Sequence, residues 1–342
     1  MITPNNILII RTDRIGDVIL SLPLAALIKK HFPECKVSYL LKEYTKDLVC
    51  DHPYIDDVII LQESNGKIPI FTNVNRLKSK FFDASIIVYP TFITALIVFL
   101  SRIKFRIGSG YRWYSFLFNK RIYEHRKYAE KHELEFNVNL LQTFGIRESI
   151  SPKNVDFNIR IDKTKLEKVK NILSKSGVDS KGKLVIAHPG SGGSAIDLFP
   201  GKFSQLVQNL TKLENTTLVI TGSADDIDIC RTVACESDSI NYAGQFNLSE
   251  LTALISLCDV FISNSTGPIH IAAALGIFVV GFYPKILACS PERWGPYTSK
   301  KLIFMPEIEC FDCTREQCER LNCMNSINIK HVVQEISKIL SA

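Results

Sequence analysis

The sequence contains no segment typical of a signal peptide or of a long membrane span. Residues 1–6 include no basic residue, and the first apolar run, Ile7 to Ile10, ends at Arg11. The longest uncharged stretch, Ala84 to Leu100, is marginal for crossing a bilayer and is interrupted by Pro90. We therefore expect a cytoplasmic protein in which this stretch forms a buried strand and a buried helix. Peripheral contact with a membrane stays open.

Strong charge imbalance and low-complexity tracts are also absent. The net charge is only +6, from 41 basic and 35 acidic residues, which suits an acidic ligand but is too small to indicate a nucleic-acid partner. With 46% hydrophobic residues, the 342-residue chain can bury a substantial core and is long enough for two domains. In a cytoplasmic chain, the ten cysteines indicate thiols or metal ligands before disulfides.

Short β-branched runs alternate with helical stretches in each half of the chain. This alternation predicts an α/β protein with two doubly wound, Rossmann-like domains, over residues 1–160 and 161–342, joined by a linker near residues 148–182. Ligands in such sheets bind at the carboxyl ends of the strands, so we expect the two edges to face a central cleft. The predicted elements include a helix from Val18 to His31 and strands at Lys36 to Leu41, Leu184 to Ala187 and Val260 to Ser263.

A glycine-rich loop at residues 188–195 follows a predicted strand. Glycines permit backbone conformations that aim N–H groups at an anion, and hydroxyls add donors. The loop lacks the Gly-Lys-Ser/Thr end of a Walker A motif, and the first strand of the chain is not followed by the dinucleotide-binding glycine pattern, which argues against a nicotinamide oxidoreductase. We assign Ser191, Gly192 and Ser194 to a phosphate site; a merely flexible loop is the alternative.

Two further turns join a predicted strand to a helix. The first is Ser265, Thr266 and Gly267, followed by a proline that favours the first helical turn, so exposed N–H groups and the positive end of the helix dipole would meet a phosphate. His270 would lie in that first turn and donate to the same anion. In the second, Gly222 precedes Asp226, whose carboxylate either complements the helix dipole or accepts hydrogen bonds from a ribose or base.

The first strand is followed by Arg11, Asp13, Arg14 and Asp17. Asp17 has two interpretations. It either favours the start of a helix through the dipole, or it is the general base that glycosyl transfer with inversion requires, taking the proton of the acceptor hydroxyl. The diphosphate leaving group would be stabilised by the helix ends and the glycine loop without a metal.

These segments resemble glycosyltransferase family 9, the ADP-heptose:lipopolysaccharide heptosyltransferases. The resemblance covers nearly the whole chain and is carried by the segments Ile9 to Pro23, His188 to Gly190, Thr221 to Ser223, Asn264 to Gly276, Lys131 to Glu133 and Arg293 to Pro296, and by the C-terminal cysteine pattern. It implies a GT-B fold and metal-independent, inverting transfer, with Asp17 as the base and Thr266, Gly267 and His270 at the donor.

Three positions depart from the family pattern. Ser265 stands where lipopolysaccharide members have Asp, Ile196 where many members have Lys or Arg, and Asp226 where Glu is common. The departures at Ser265 and Ile196 also favour a non-catalytic nucleotide-sugar-binding scaffold, against which Asp17 argues. They weaken the assignment of ADP-heptose as the donor more than the family assignment.

Residues 102–128, the basic-aromatic segment, carry eight basic residues, one acidic residue and many aromatics. Such a surface suits an acidic amphiphile at a membrane interface. We therefore place an acidic glycolipid or glycan acceptor near Arg14, Arg112 and His132. An ordinary solvated loop is the alternative, and nothing else in the chain supports binding of single-stranded nucleic acid.

Four cysteines, Cys310, Cys313, Cys318 and Cys323, lie within residues 310–323. Four thiolates can hold a structural zinc or iron ion, although reduced thiols or a disulfide pair fit the spacing equally well. A catalytic metal is not expected because such a site is closed.

The resulting hypothesis is an inverting transferase that moves a heptose or related sugar from ADP-heptose to a lipopolysaccharide core or another cell-surface glycan. Transfer to protein side chains, as a protein O-heptosyltransferase, is the alternative.

Overall fold

The computed structural model describes residues 3–178, 181–308 and 314–341. The chain divides into two compact units. The first comprises Met1–Arg126 and Glu133–Arg160, and the second comprises Lys127–His132 and Ile161–Ala342. The division therefore falls close to the predicted boundary at residue 160, with a short excursion of the chain into the second unit at residues 127–132.

The first unit is a six-stranded parallel sheet with the strand order β3-β2-β1-β4-β5-β6. Its elements are β1 (Asn6–Ile10), α1 (Ile15–Ile19), α2 (Pro23–His31), β2 (Lys36–Leu41), β3 (Asp57–Ile60), α3 (Ile70–Lys78), β4 (Ala84–Ile87), α4 (Phe92–Leu100), β5 (Phe105–Ser109), β6 (Lys120–Ile122) and α5 (Glu133–Asn139).

The second unit repeats this architecture, with the strand order β12-β11-β10-β7-β8-β9, again all parallel. Its elements are α6 (Lys163–Lys175), β7 (Lys183–His188), α7 (Pro200–Leu210), β8 (Thr216–Ile220), α8 (Ile227–Ala234), β9 (Ile240–Asn241), α9 (Leu248–Ile255), β10 (Val260–Asn264), α10 (Gly267–Ala274), β11 (Phe278–Phe282), α11 (Pro291–Trp294), β12 (Lys301–Phe304), α12 (Arg315–Leu321) and α13 (Ile329–Ser341).

The central strands explain why the sequence could predict this fold. In β1, β4 and β10 almost every side chain is buried, because helices cover both faces of a parallel sheet. Such strands read as uninterrupted apolar runs, and each unit has its own apolar core. The predicted α/β class with two Rossmann-like, GT-B-type units is confirmed.

Two local predictions differ from the structure. The helix expected from Val18 to His31 is divided into α1 and α2, because Pro23 cannot donate a backbone hydrogen bond and instead occupies the first turn of α2. The predicted linker near residues 148–182 contains α6, whose first turn is capped by the carboxylate of Asp162. Residues 84–100 form β4 and α4, as expected, and no helix in the described ranges is long and apolar enough to cross a membrane.

Candidate active site

A cluster of buried charges lies at the carboxyl end of β1 in the first unit. Arg11 is only 1% exposed, and its guanidinium contacts three carboxylates. Nε lies 2.8 Å from Oδ1 of Asp13, Nη2 donates to Asp17, and Nη1 lies 3.6 Å from Oε1 of Glu133. Arg126 donates to the same Glu133, which is 2% exposed. Burial of these charges is tolerable because each has a partner of opposite sign.

The buried carboxylates of this cluster also affect one another. Asp13 and Asp17 both pair with Arg11, so their like charges lie close together. Burial raises the pKa of Asp13 from its ordinary value of 3.8 to about 7, against the opposing effect of Arg11, and the neighbouring Asp17 raises it further. Protonation of Asp13 would relieve its repulsion with Asp17 and leave Asp17 paired with Arg11.

The sequence singled out Asp17 and placed Arg11 and Arg14 near it, and the structure pairs Asp17 with Arg11. Arg14, assigned to the acceptor side, is exposed at the start of α1, whereas the buried partner of Asp17 is Arg11. Glu133 was not singled out, although it belongs to the Lys131 to Glu133 segment that carries the family resemblance. A carboxylate so far along the chain could be joined to Arg11 only by the tertiary fold.

In the second unit, buried polar side chains link the carboxyl ends of β7, β8 and β10. His188 at the end of β7 shares a hydrogen bond of 2.9 Å between its Nδ1 and Oγ1 of Thr221. Burial lowers the pKa of His188 to about 4, so its ring is neutral at physiological pH. Asn264, which sequence reasoning did not select, donates to the Pro189 carbonyl at 2.7 Å and accepts from the Leu198 amide at 2.9 Å. It thereby ties Pro189 in the glycine loop, and Leu198 shortly after the loop, to the end of β10.

The glycine loop has the backbone conformation that its glycines predict. Gly192 and Gly193 have φ values of +55° and +70°, which L residues rarely adopt. The loop is closed by the Ser194 amide, which donates to the Ser191 carbonyl at 3.2 Å, and the Ser191 hydroxyl donates to the Asp197 carboxylate at 2.8 Å. The Ser191 hydroxyl proton is therefore directed at a neighbouring carboxylate in this structure.

The turn from β10 into α10 leaves the start of the helix open. Thr266 is the residue before the helix, and its side chain makes no capping hydrogen bond. The N–H groups of the first turn of a helix that lacks such a cap are available to an anion. The Ser265 side chain interacts with Tyr283, whose hydroxyl donates to the Trp294 carbonyl at 3.2 Å.

His270 lies in the first turn of α10 and is 5% exposed. Within the described ranges, no group forms a hydrogen bond with its buried Nδ1. Burial, and secondarily His132, lower its pKa to about 3. His270 is therefore neutral at physiological pH and can offer an anion a hydrogen bond but no positive charge.

His132, placed with the acceptor side from sequence, lies in the second unit. Its Nε2 donates to the Gly295 carbonyl at 2.7 Å, and its ring centroid is 4.7 Å from that of Tyr297. The structure thus groups His132 with His270 rather than with Arg14 and Arg112.

Asp226 stabilises the turn after β8. One of its carboxylate oxygens, Oδ2, accepts from the amide of Ser223 at 2.8 Å and from its hydroxyl at 2.6 Å. A Cβ at Gly190 would collide with the Asp226 carboxylate, and a Cβ at Gly222 would collide with Cβ of Asp226 and Sγ of Cys230. Gly190 therefore allows the turns after β7 and β8 to approach one another.

The basic-aromatic segment presents exposed rings in the first unit. Trp113 is 73% exposed and stacks on Phe92 with ring centroids 5.0 Å apart, and Arg112 beside it is also exposed. Two further rings of the segment within this unit, Phe116 and Tyr123, are more than half exposed. The aromatics thus do not all pack beneath a solvated loop.

The cysteine cluster is only partly covered by the structure. Cys310 and Cys313 lie outside the described residues. Cys318 and Cys323 are each 1% exposed and pack together with Ile286 and Ile196. Among the described residues, no group of three or more candidate ligands could hold a metal ion.

Comparison with known proteins places these features in one family. The profile of glycosyltransferase family 9 (heptosyltransferase) matches residues 71–324. The lipopolysaccharide core heptosyltransferase OpsX of Haemophilus influenzae is 26% identical over 304 residues, covering 86% of this chain and 83% of the relative.

Solved structures share the fold. A glycosyltransferase family 9 structure from Veillonella parvula superposes with a TM-score of 0.83 at 18% identity, covering 98% of this chain and 97% of the other. The structure of Escherichia coli heptosyltransferase WaaC with ADP has a TM-score of 0.74 at 15% identity and covers 98% of this chain and 99% of its own.

Proposed function

This chain belongs to glycosyltransferase family 9, the heptosyltransferase family, and from that membership we propose that it transfers a heptose or a related sugar from an ADP-sugar to a lipopolysaccharide core or another cell-surface glycan. The chain is a glycosyltransferase. The family description supports the heptose, and the E. coli structure that holds ADP supports the adenine nucleotide. Family membership also favours an enzyme over the non-catalytic scaffold.

The observation that carries this proposal is the open first turn of α10 with the unpartnered Nδ1 of His270 beside it. A buried nitrogen without a hydrogen bond costs free energy that a ligand can recover. The first turn of α10 contains no acidic residue, and its backbone N–H groups favour a negatively charged ligand. We assign the diphosphate of the donor to the first turn of α10, His270 and the glycine loop.

Asp17 is the general base of the proposed reaction. The oxygen of the acceptor hydroxyl forms a bond to the anomeric carbon, its proton passes to a carboxylate oxygen of Asp17, and the bond from the anomeric carbon to the diphosphate oxygen breaks. The electron pair leaves with the nucleoside diphosphate, and the configuration inverts because the hydroxyl attacks the face opposite the leaving group. Arg11 orients Asp17, and the donors around α10 stabilise the charge on the leaving group.

We propose that the acceptor is an acidic glycolipid. We also propose that the exposed rings around Trp113 contact the cytoplasmic face of the inner membrane. Aromatics next to cations suit the headgroup region of an anionic membrane. Sedimentation with vesicles that contain phosphatidylglycerol should capture the protein, and Trp113→Ser should weaken capture about threefold more than Phe81→Ser, a change at an exposed ring outside the segment. Equal effects of the two changes would argue against this surface.

The experiment that tests the donor is a thermal-shift and turnover panel with ADP-, GDP-, UDP- and CMP-sugars. A bound donor stabilises the folded state by mass action, so only the correct nucleotide should raise the melting temperature and be consumed. Preference for another base would exclude ADP-heptose, and the absence of binding and turnover with every donor would refute the proposal. Lipid and protein acceptors compared in the same assay would separate lipopolysaccharide synthesis from protein O-heptosylation.

A structural metal at the cysteine cluster remains a proposal based on spacing. Cys318 and Cys323 are close together and buried, which is compatible with two ligands of a tetrahedral zinc or iron site. The ion would hold the C-terminal segment and take no part in the transfer.

A further inference from the structure

The glycine loop has no cation of its own. No lysine or arginine occurs between His188 and Gly201. The next basic residue, Lys202, donates its Nζ to the Ile327 carbonyl at 3.2 Å. His188 and His270 are neutral, as their lowered pKa values require. A diphosphate at this loop would therefore lack a positively charged partner from the loop and from these histidines.

An arginine from the C-terminal part of the chain reaches this loop. Nη1 of Arg315 donates to the Gly193 carbonyl at 3.3 Å, and Nη2 donates to the Ala195 carbonyl at 3.2 Å. Nε donates to Oε1 of Glu319 at 2.9 Å. Each of these bonds uses one N–H, so both terminal nitrogens keep a second N–H. The side chain is 52% exposed, which leaves these donors accessible to a ligand.

The position of Arg315 is determined by the packing of α12. Thr314 caps this helix through reciprocal hydrogen bonds with Gln317, which fixes its first turn. On the next turn, Cys318 is buried with Cys323 and Ile286, and Ile196 packs against them. Ile196 immediately follows the glycine loop in the sequence. An apolar residue at this position thus helps to hold the helix that brings a cation to the loop.

A buried carboxylate increases the need for that cation. Asp197 accepts from the Ser191 hydroxyl, and among the described residues its Oδ1 has no hydrogen-bond partner. Burial raises the pKa of Asp197 to about 6, and Arg315 opposes this rise. When ionised, Asp197 would repel an incoming diphosphate. The neighbouring guanidinium of Arg315 favours binding of the diphosphate because it attracts the diphosphate and also offsets the negative charge of Asp197.

We propose that Arg315 is the cation of the donor site, holding the glycine loop by two carbonyls and binding the diphosphate with its remaining N–H groups. This inference rests on the proposed function, since it assumes that a nucleoside diphosphate binds at the loop. It assigns to α12 a part in donor recognition, and it explains why the segment after the loop can carry Ile196 in place of a basic residue.

The test is the affinity of the full chain for ADP, measured by isothermal titration calorimetry for the wild type, R315Q, R315K and R320Q. Arg320 is exposed on the same helix, so R320Q removes the same charge without touching the loop. We expect R315Q to raise the Kd for ADP about tenfold, which corresponds to about 1.4 kcal/mol. R315K, which keeps the charge, should raise it about threefold, and R320Q less than about twofold.

Three results would overturn the inference: an R315Q affinity within twofold of the wild type, equal losses in R315Q and R320Q, or an R315K affinity as low as that of R315Q. The last result would mean that Arg315 holds the loop without acting as a cation. If R315Q is too unstable to measure, the affinity of R315K for ADP compared with those of the wild type and R320Q tests the inference in its place. Failure of the wild type to bind ADP, GDP or UDP would instead refute the proposed function, so the two failures are distinguishable.

Discussion

Replacement of Asp13 by Asn should change how the stability of the protein depends on pH. The folded structure favours the protonated acid, since burial raises the pKa of Asp13 from 3.8 to about 7. Between these two values the folded state holds a proton that the unfolded state releases. The free energy of unfolding should therefore fall as the pH rises through this window, and Asp13→Asn should remove this contribution because Asn does not titrate.

The size of the effect follows from the same two pKa values. One pKa unit corresponds to about 1.4 kcal/mol, so raising the pH from 5 to beyond 7 should remove at most about 3 kcal/mol of stability through this group. The pKa of about 7 already includes the opposing effect of Arg11, which lies 2.8 Å from the Asp13 carboxylate. We therefore expect the wild type to lose about 2 to 3 kcal/mol more than Asp13→Asn over this range.

The assay is urea unfolding followed by circular dichroism at pH 5 and pH 8 for the wild type, Asp13→Asn and the control Asp47→Asn, in which an exposed carboxylate of the same unit is removed. Other groups that titrate in this range, including Asp197, are common to all three proteins and cancel in the difference. If the units unfold separately, the effect belongs to the transition of the first unit. Parallel pH dependence in the wild type and Asp13→Asn would refute the raised pKa of Asp13 in the Arg11 cluster.

Three further outcomes are expected. Asp17→Asn should lower kcat by a factor of about 10² to 10⁴, while the KM for the donor changes little, because the base acts on the acceptor proton. The rate at which nucleoside diphosphate is released measures kcat. An unchanged kcat would exclude Asp17 as the base. Gly190→Ala should raise the KM for the donor about tenfold, or about 1.4 kcal/mol, because the new Cβ would displace the Asp226 carboxylate. The control is Gly177→Ala, in which the new Cβ lies in open space at a φ of +77°, and this change should alter only the stability of the protein. If the cysteine cluster holds zinc or iron, elemental analysis should find about one ion per chain that Cys318→Ser removes, and a metal-free wild type would exclude the site.

Much of the fold could be predicted because the physical causes are local in the sequence. The central strands are buried on both faces, so each appears as a short apolar run, and the strand Lys36–Leu41 has the predicted bounds. The helix that begins near Gly267 follows from a proline at its first turn. Pro23 likewise occupies the first turn of a helix and divides the predicted helix from Val18 to His31 into α1 and α2. This division was not predicted because the apolar periodicity continues across it.

The sequence by itself determined the fold class, the family and the segments that carry the candidate site, because strand ends, turns and glycine loops are each formed by consecutive residues. Only the tertiary structure decided which charges meet. The fold joined Arg11 to Glu133, moved His132 next to His270, and brought Arg315 to a loop more than a hundred residues earlier in the chain. Residues without local periodicity carry no signal of their partners, and burial, which sets the pKa of Asp13, exists only once the chain has folded.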